Sequence, residues 1–124
     1  MDYLKEKLDK VFAEYIRKRD SQRSNYCLCI SCGRLVHLTD ADVGHFIPRS
    51  FTGTRWHEQN AHLQCQNCNR FNDGNVILYE NELVKKYGIS VVGALHRDSR
   101  KIVKMSDADY RNMIEYYKFK LSEL

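Results

Sequence analysis

Cys29-Ile-Ser-Cys32-Gly33 and Cys65-Gln-Asn-Cys68-Asn69 bracket the middle of the chain, and Val43-Gly44-His45-Phe46-Ile47-Pro48-Arg49 lies between them. Two Cys-x2-Cys knuckles can bring four thiolates to the corners of a tetrahedron, the geometry Zn2+ takes in structural sites. A closed four-sulfur shell leaves no open coordination position, so a metal held by Cys29, Cys32, Cys65 and Cys68 staples the fold and does no chemistry. The competing interpretation is a set of buried free thiols. Cys27 is read as spare, although it could exchange into the ligand set at the less usual spacing to Cys32.

The rest of the chain fits a small stapled domain. Its 124 residues have room for one domain with one modest core, and a mean hydropathy of -0.59 suits a fold that leans on a staple. The stretch from Met1 to Lys10 is charged and lacks the apolar run of a signal peptide, and no stretch is suited to span a membrane. The expected setting is therefore the reducing cytoplasm, where five cysteines are metal ligands before they are disulfides. Twenty Lys and Arg against 16 Asp and Glu give +4 and a sequence pI near 8.8, pointing to an anionic partner. A four-thiolate zinc centre would lower that charge to about +2, so charge alone selects no function.

Periodicity divides the chain. Leu4, Leu8, Val11, Phe12, Tyr15 and Ile16 recur at helical spacing and predict an amphipathic N-terminal helix within residues 1–20. Residues 27–46 mix β-branched, aromatic and glycine residues and predict short strands and knuckles. Pro48 to Asn60 reads as an exposed loop. Val76, Tyr79, Leu83 and Tyr87 predict a helix ended by Gly88, Ile89 to His96 is read as helix although strand remains open, and Ser106 with Asp109 opens a final helix. The fold class expected is α+β: a zinc-stapled core over 27–88, a helical segment over 89–124, and all of 1–124 in one domain.

The order of His45 between the knuckles, Asn60 five residues before Cys65, and Asn69 after Cys68 resembles the His-Asn-His, or ββα-metal, nucleases. A closer resemblance is to the lambdoid phage NinG (Rap) recombination proteins. It rests on Phe12 to Asp20 (F-A-E-Y-I-R-K-R-D), C-I-S-C-G at 29–33, D-V-G-H-F at 42–46, Arg55-Trp56, Asn60-Ala61-His62, Gln64-Cys65, Cys68-Asn69, Gly74-Asn75 and Tyr79. It covers most of the chain from Phe12, is weakest over 89–104, and lacks the family's longer basic N-terminal extension. The resemblance implies an HNH-like ββα-metal core, His45 as general base, Asn60 as loop brace and Asn69 as ligand of a catalytic Mg2+ or Mn2+ separate from the zinc. It further implies a structure-specific DNA endonuclease acting on Holliday junctions and D-loops in a phage- or prophage-bearing bacterial cell.

The residue types suit such chemistry. A neutral imidazole can take a proton from water near pH 7, and the Asn69 carbonyl oxygen is a hard donor that suits Mg2+ or Mn2+. Many relatives carry an acidic ligand at the position of Gly44, so the cation site is expected to be sparse, with Asp42 and Asp73 as candidate additions. Arg49 and Arg55 are candidate phosphate clamps, and Arg70, Lys101 and Lys104 candidate DNA contacts within surfaces that otherwise read as solvated. His62 reads as packing or loop bracing. Two other functions stay open: a nonspecific or site-directed HNH nuclease, and a catalytically inactive zinc module that binds nucleic acid. Paired cuts on a junction would suit a homodimer.

Overall fold

The computed structural model describes residues 2–124. Helix α1 (Asp2–Ser21) buries Leu4, Leu8, Val11, Phe12, Tyr15 and Ile16, the stripe its periodicity predicts, and stops where Gln22 and Arg23 take positive φ. Two antiparallel hairpins follow. Strands β1 (Tyr26–Leu28) and β2 (Leu35–His37) form one; β3 (Ala41–His45) and β4 (Ala61–Cys65) form the other, with Gly44 opposite His62 and His45 opposite Ala61. The 46–60 connection holds a single helical turn, α2 (Thr52–Arg55). Helices α3 (Val76–Tyr87), α4 (Ser90–Ser99) and α5 (Asp107–Ser122) complete a mixed α+β fold with small sheets.

Local chemistry explains most boundaries. Gly88, at φ 99°, ends α3, and Ser106 and Asp109 close a reciprocal capping box at the start of α5. The ambiguous 89–96 stretch is helical, within α4. Two expectations need correction. The 48–60 loop is not simply exposed: Thr54, Trp56 and Asn60 are buried, the indole packing in the core and the polar pair bonding its backbone. The helix that a ββα-metal core would start at the second knuckle is also displaced, although the helix expected from Val76 stands where its spacing put it. A five-residue π turn (Asn67–Phe71) is followed by Asp73, Gly74 and Asn75 at φ 50°, 80° and 46°, left-handed backbone that no helix tolerates, and α3 begins only at Val76.

Two cores meet at the end of β3. α1 packs with Trp56, Ala61, and Ile114 and Tyr117 of α5, while Phe46, Ile47, Tyr79, Leu83, Val91 and Leu95 form the second core. Fully burying a side chain such as Leu8 or Leu83 stabilises by about 1.5–3 kcal/mol. His45 lies on the α1 side, its ring 6.3 Å from Phe12, and the next residue enters the second core. No helix among the described residues is long and apolar enough to cross a membrane.

Candidate functional site

The four knuckle cysteines converge, their sulfurs all within 4.8 Å of one another. Cys32 and Cys65 are 3.8 Å apart, the edge of a tetrahedron with zinc–sulfur bonds of about 2.3 Å. Backbone N–H groups of Cys32 and Cys68 donate to Cys29 Sγ and Cys65 Sγ, and the Asn75 amide donates to Cys68 Sγ. Such contacts orient thiolates and disperse their charge. Burial, reinforced by the neighbouring sulfurs, pushes the Cys68 thiol up to about 12, while at Cys29 burial is outweighed by backbone N–H groups that hold the thiol below its ordinary range; four sulfurs so packed fit a dication. The set could hold one zinc ion. Cys27 stands outside it, buried opposite Val36.

Beside this cluster opens a cavity of about 540 Å3 whose walls include His45, Arg49, Asn69, Asp42 and Asp73, together with Asp9 and Arg17 of α1. His45 Nε2 lies 2.9 Å from the Arg55 carbonyl oxygen. A carbonyl only accepts, so Nε2 carries the proton and Nδ1 is the basic nitrogen. Burial, countered in part by the Arg55 carbonyl, pulls the His45 pKa down to about 4, so the ring is neutral near pH 7.

Asn60 is fully buried. Its amide nitrogen donates to the carbonyls of Ile47 and Thr54 at 3.0 and 3.1 Å, and its oxygen accepts from Ile47 N–H at 2.9 Å. These bonds lock the segment after His45 onto the start of β4. Asn69 donates through Nδ2 to Asp42 at 2.9 Å, which leaves its carbonyl oxygen as the atom available to a cation. The Asp42 carboxylate also receives the Arg70 fork at 2.8 and 2.9 Å. Burial opposes ionisation of Asp42, but Arg70 and Asn69 outweigh it and hold the carboxyl below the usual range. Among the described residues no third His or carboxylate joins Asp42 and Asp73 as a metal cluster, so any cation here rests largely on Asn69, Asp42, water and substrate.

The two clamp candidates separate. Arg49 extends from the rim with 60 % of its side chain exposed, 4.0 Å from Asp9. Arg55 is 15 % exposed and bound in a fork to Asp9 at 2.6 and 3.0 Å, which also accepts from the Trp56 indole at 2.8 Å. Arg55 thus fixes its own loop. Arg70 is tied to Asp42, Lys101 pairs with Asp98 at 3.1 Å on α4, and Lys104 lies exposed in the segment before α5; neither lysine lines the cavity.

Gly44 has a packing reason. A Cβ there would come within 1.7 Å of Gln64 Oε1, so the position is closed to any side chain unless Gln64 moves. Gln64 is fully buried, donating to Ser31 Oγ and the Gly74 carbonyl while its Oε1 has no partner. His62 forms a buried relay: Tyr87 donates to Nε2 at 2.7 Å, Nδ1 donates to the Tyr79 hydroxyl at 3.2 Å, and Tyr79 donates to the Gly44 carbonyl at 2.8 Å. The relay braces the strand that carries His45. Asp9, Arg17 and Gln64 had no role assigned from sequence, because their partners lie far along the chain: Arg17 donates to the carbonyls of Leu38 and Ala41.

Comparison with known proteins gives one family. The family model described as "Bacteriophage Lambda NinG protein" matches residues 1–124. The chain is 33 % identical over 88 residues to Protein ninG of Salmonella phage P22, covering 70 % of the chain and 41 % of that relative. To Protein ninG of Escherichia phage lambda it is 31 % identical over 108 residues, covering 82 % of the chain and 50 % of the relative. The chain therefore spans half or less of the length of these curated relatives. No solved structure matches it.

Proposed function

The chain belongs to the bacteriophage NinG family, and from that premise we propose that it is a divalent-cation-dependent DNA endonuclease of the HNH, or ββα-metal, type, with a structural zinc at the four cysteines. The observation that carries this reading is the convergence of His45, Arg49, Asn69 and Asp42 on one cavity beside the cysteine cluster. The order of β3, β4 and the turn bearing Asn69 supports an HNH-like core, although its helix is interrupted.

In this account His45 accepts a proton at Nδ1 from the water that attacks phosphorus, while Nε2–H on the Arg55 carbonyl keeps the tautomer correct. The phosphodiester entering the cavity brings negative charge toward the imidazole, which raises its proton affinity as the transfer begins. Arg49, exposed at the rim, binds a non-bridging oxygen. Asn69 Oδ1 and Asp42 would hold Mg2+ or Mn2+, and such a cation would supply charge to offset that on the scissile phosphate and the leaving 3'-oxygen. Asp42 already accepts one hydrogen bond from Asn69 and two from Arg70, so a cation held there would share the carboxylate with Arg70 or displace it.

The substrate we propose is branched recombination DNA, cut on opposed strands by a homodimer. Incubating purified chain with labelled duplex, flap and four-way junction DNA, with Mg2+ present or omitted, tests the whole reading. Cation-dependent cutting confined to branched substrates supports it. Equal cutting of linear duplex favours a general HNH nuclease, and binding without cutting favours an inactive zinc module, the outcome suggested by the occupation of Asp42 by Arg70.

A further inference from the structure

We propose that the segment between α4 and α5 is a nucleic-acid wedge, with Ile102 as the side chain that enters an unstacked base step next to the cavity. The inference rests on the nuclease reading above and adds a second contact surface to it. Ile102 is 92 % exposed, and Val103 beside it 41 %. A lone exposed apolar residue needs no explanation, but the setting of this one is specific. Exposed Arg100, Lys101 and Lys104 flank it within two residues on either side. Of the acids nearby, Asp98 pairs with Arg97 and with Lys101 at 3.1 Å, so Lys101 must leave it to hold a phosphate, while Arg100 and Lys104 are the other two cations; Asp109 closes the α5 capping box. An apolar tip between cations is how proteins enter a duplex, the cations holding phosphates while the apolar side chain replaces a base's stacking partner.

Placement supplies the second observation. Before the tip, the His96 ring stands edge-on to Phe46 at 5.8 Å, and Gly53 lies so close to the Asp98 carbonyl that a Cβ would come within 2.1 Å of its oxygen. After the tip, Met105 packs into the α1 core and Tyr110 stands edge-on to Trp56 at 5.8 Å. Both ends are thus pinned to the 46–56 segment that carries Arg49 and the carbonyl under His45. A tip anchored at both ends loses little conformational freedom on insertion, and it would meet DNA whose backbone lies in the cavity. Base steps already unstacked at a branch cost least to open, so the wedge would favour branched over linear DNA.

The test uses the whole zinc-loaded chain and a four-way junction carrying 2-aminopurine beside the branch point, with the matching linear duplex as control and no added Mg2+ or Mn2+. The expected result is a rise in 2-aminopurine fluorescence on the junction that Ile102→Ser abolishes, together with an approximately tenfold loss of junction affinity and an unchanged duplex affinity. Because Ile102 is exposed, zinc content and thermal midpoint of the variant should equal those of the parent. Lys101→Ala and Lys104→Ala should weaken junction and duplex alike and reduce the salt dependence of both. A parent chain that cleaves DNA but gives no fluorescence rise, or an Ile102→Ser variant that keeps the rise, overturns the wedge alone. A chain that binds no DNA overturns both the wedge and the nuclease reading.

Discussion

His45 donates through Nε2 to the carbonyl of Arg55 at 2.9 Å, and the Arg55 side chain is held in turn by Asp9, 46 residues earlier in the chain. The N-terminal helix thereby sets the orientation of the imidazole through the loop it grips. Asp9→Asn should keep zinc and most stability yet lower the cleavage rate by about tenfold or more, with substrate affinity little changed, because a small misplacement of a base is costly. Nitrogen NMR of the His45 ring would then show a mixture of tautomers in place of the Nε2–H form. An unchanged rate and an unchanged ring spectrum would remove Asp9 from the account.

Zinc removal should unfold the chain, since binding energy at a four-thiolate site is also folding energy. Elemental analysis should find one zinc per chain. Cys29→Ala and Cys65→Ala should lose it along with soluble protein, while Cys27→Ala keeps it; a Cys27 variant that sheds zinc would contradict the ligand set drawn from the geometry.

Asn60→Ala deletes three buried hydrogen bonds and leaves Ile47 N–H without its partner. The expected destabilisation is about 1–3 kcal/mol, read as a lower denaturant midpoint with zinc retained. A midpoint equal to that of the parent would show that the 47–54 loop is held by other contacts.

Burial drives His62 down to about 3 and His45 to about 4, both well below the ordinary 6.5. Between those values and 6.5 the unfolded chain binds more protons than the folded one, so stability is complete above about pH 6.5 and is lost as pH falls toward 4. Denaturant midpoints across that range should decline, and His62→Gln should flatten the decline. A pH-independent midpoint above pH 4 would sink this prediction.

Much of this organisation is legible in the sequence wherever the determinants are local. Cys-x2-Cys knuckles announce their cluster because the ligands of each pair are three residues apart, and Ser106 with Asp109, or Gly88 after Tyr87, mark helix ends by short-range chemistry. Asp9 is illegible in the same sequence, since nothing near it signals a partner in the loop at 55–56. Gly44 reads as a missing ligand until Gln64 is seen filling the space over it. The start of α3 at Val76 is legible from its helical spacing, whereas the π turn over Asn67–Phe71 before it has no short-range signal. Arg55 reads as a phosphate clamp by composition, and only tertiary structure reveals the carboxylate that occupies it.

The most direct test of the central claim is single-turnover cleavage of labelled four-way junction DNA in Mg2+ or Mn2+ by the parent chain and by His45→Ala. The account predicts cation-dependent cutting by the parent and a loss of about 100-fold or more in the variant, the scale for removing a general base, with zinc content and DNA affinity retained. Equal rates for the two proteins would contradict it.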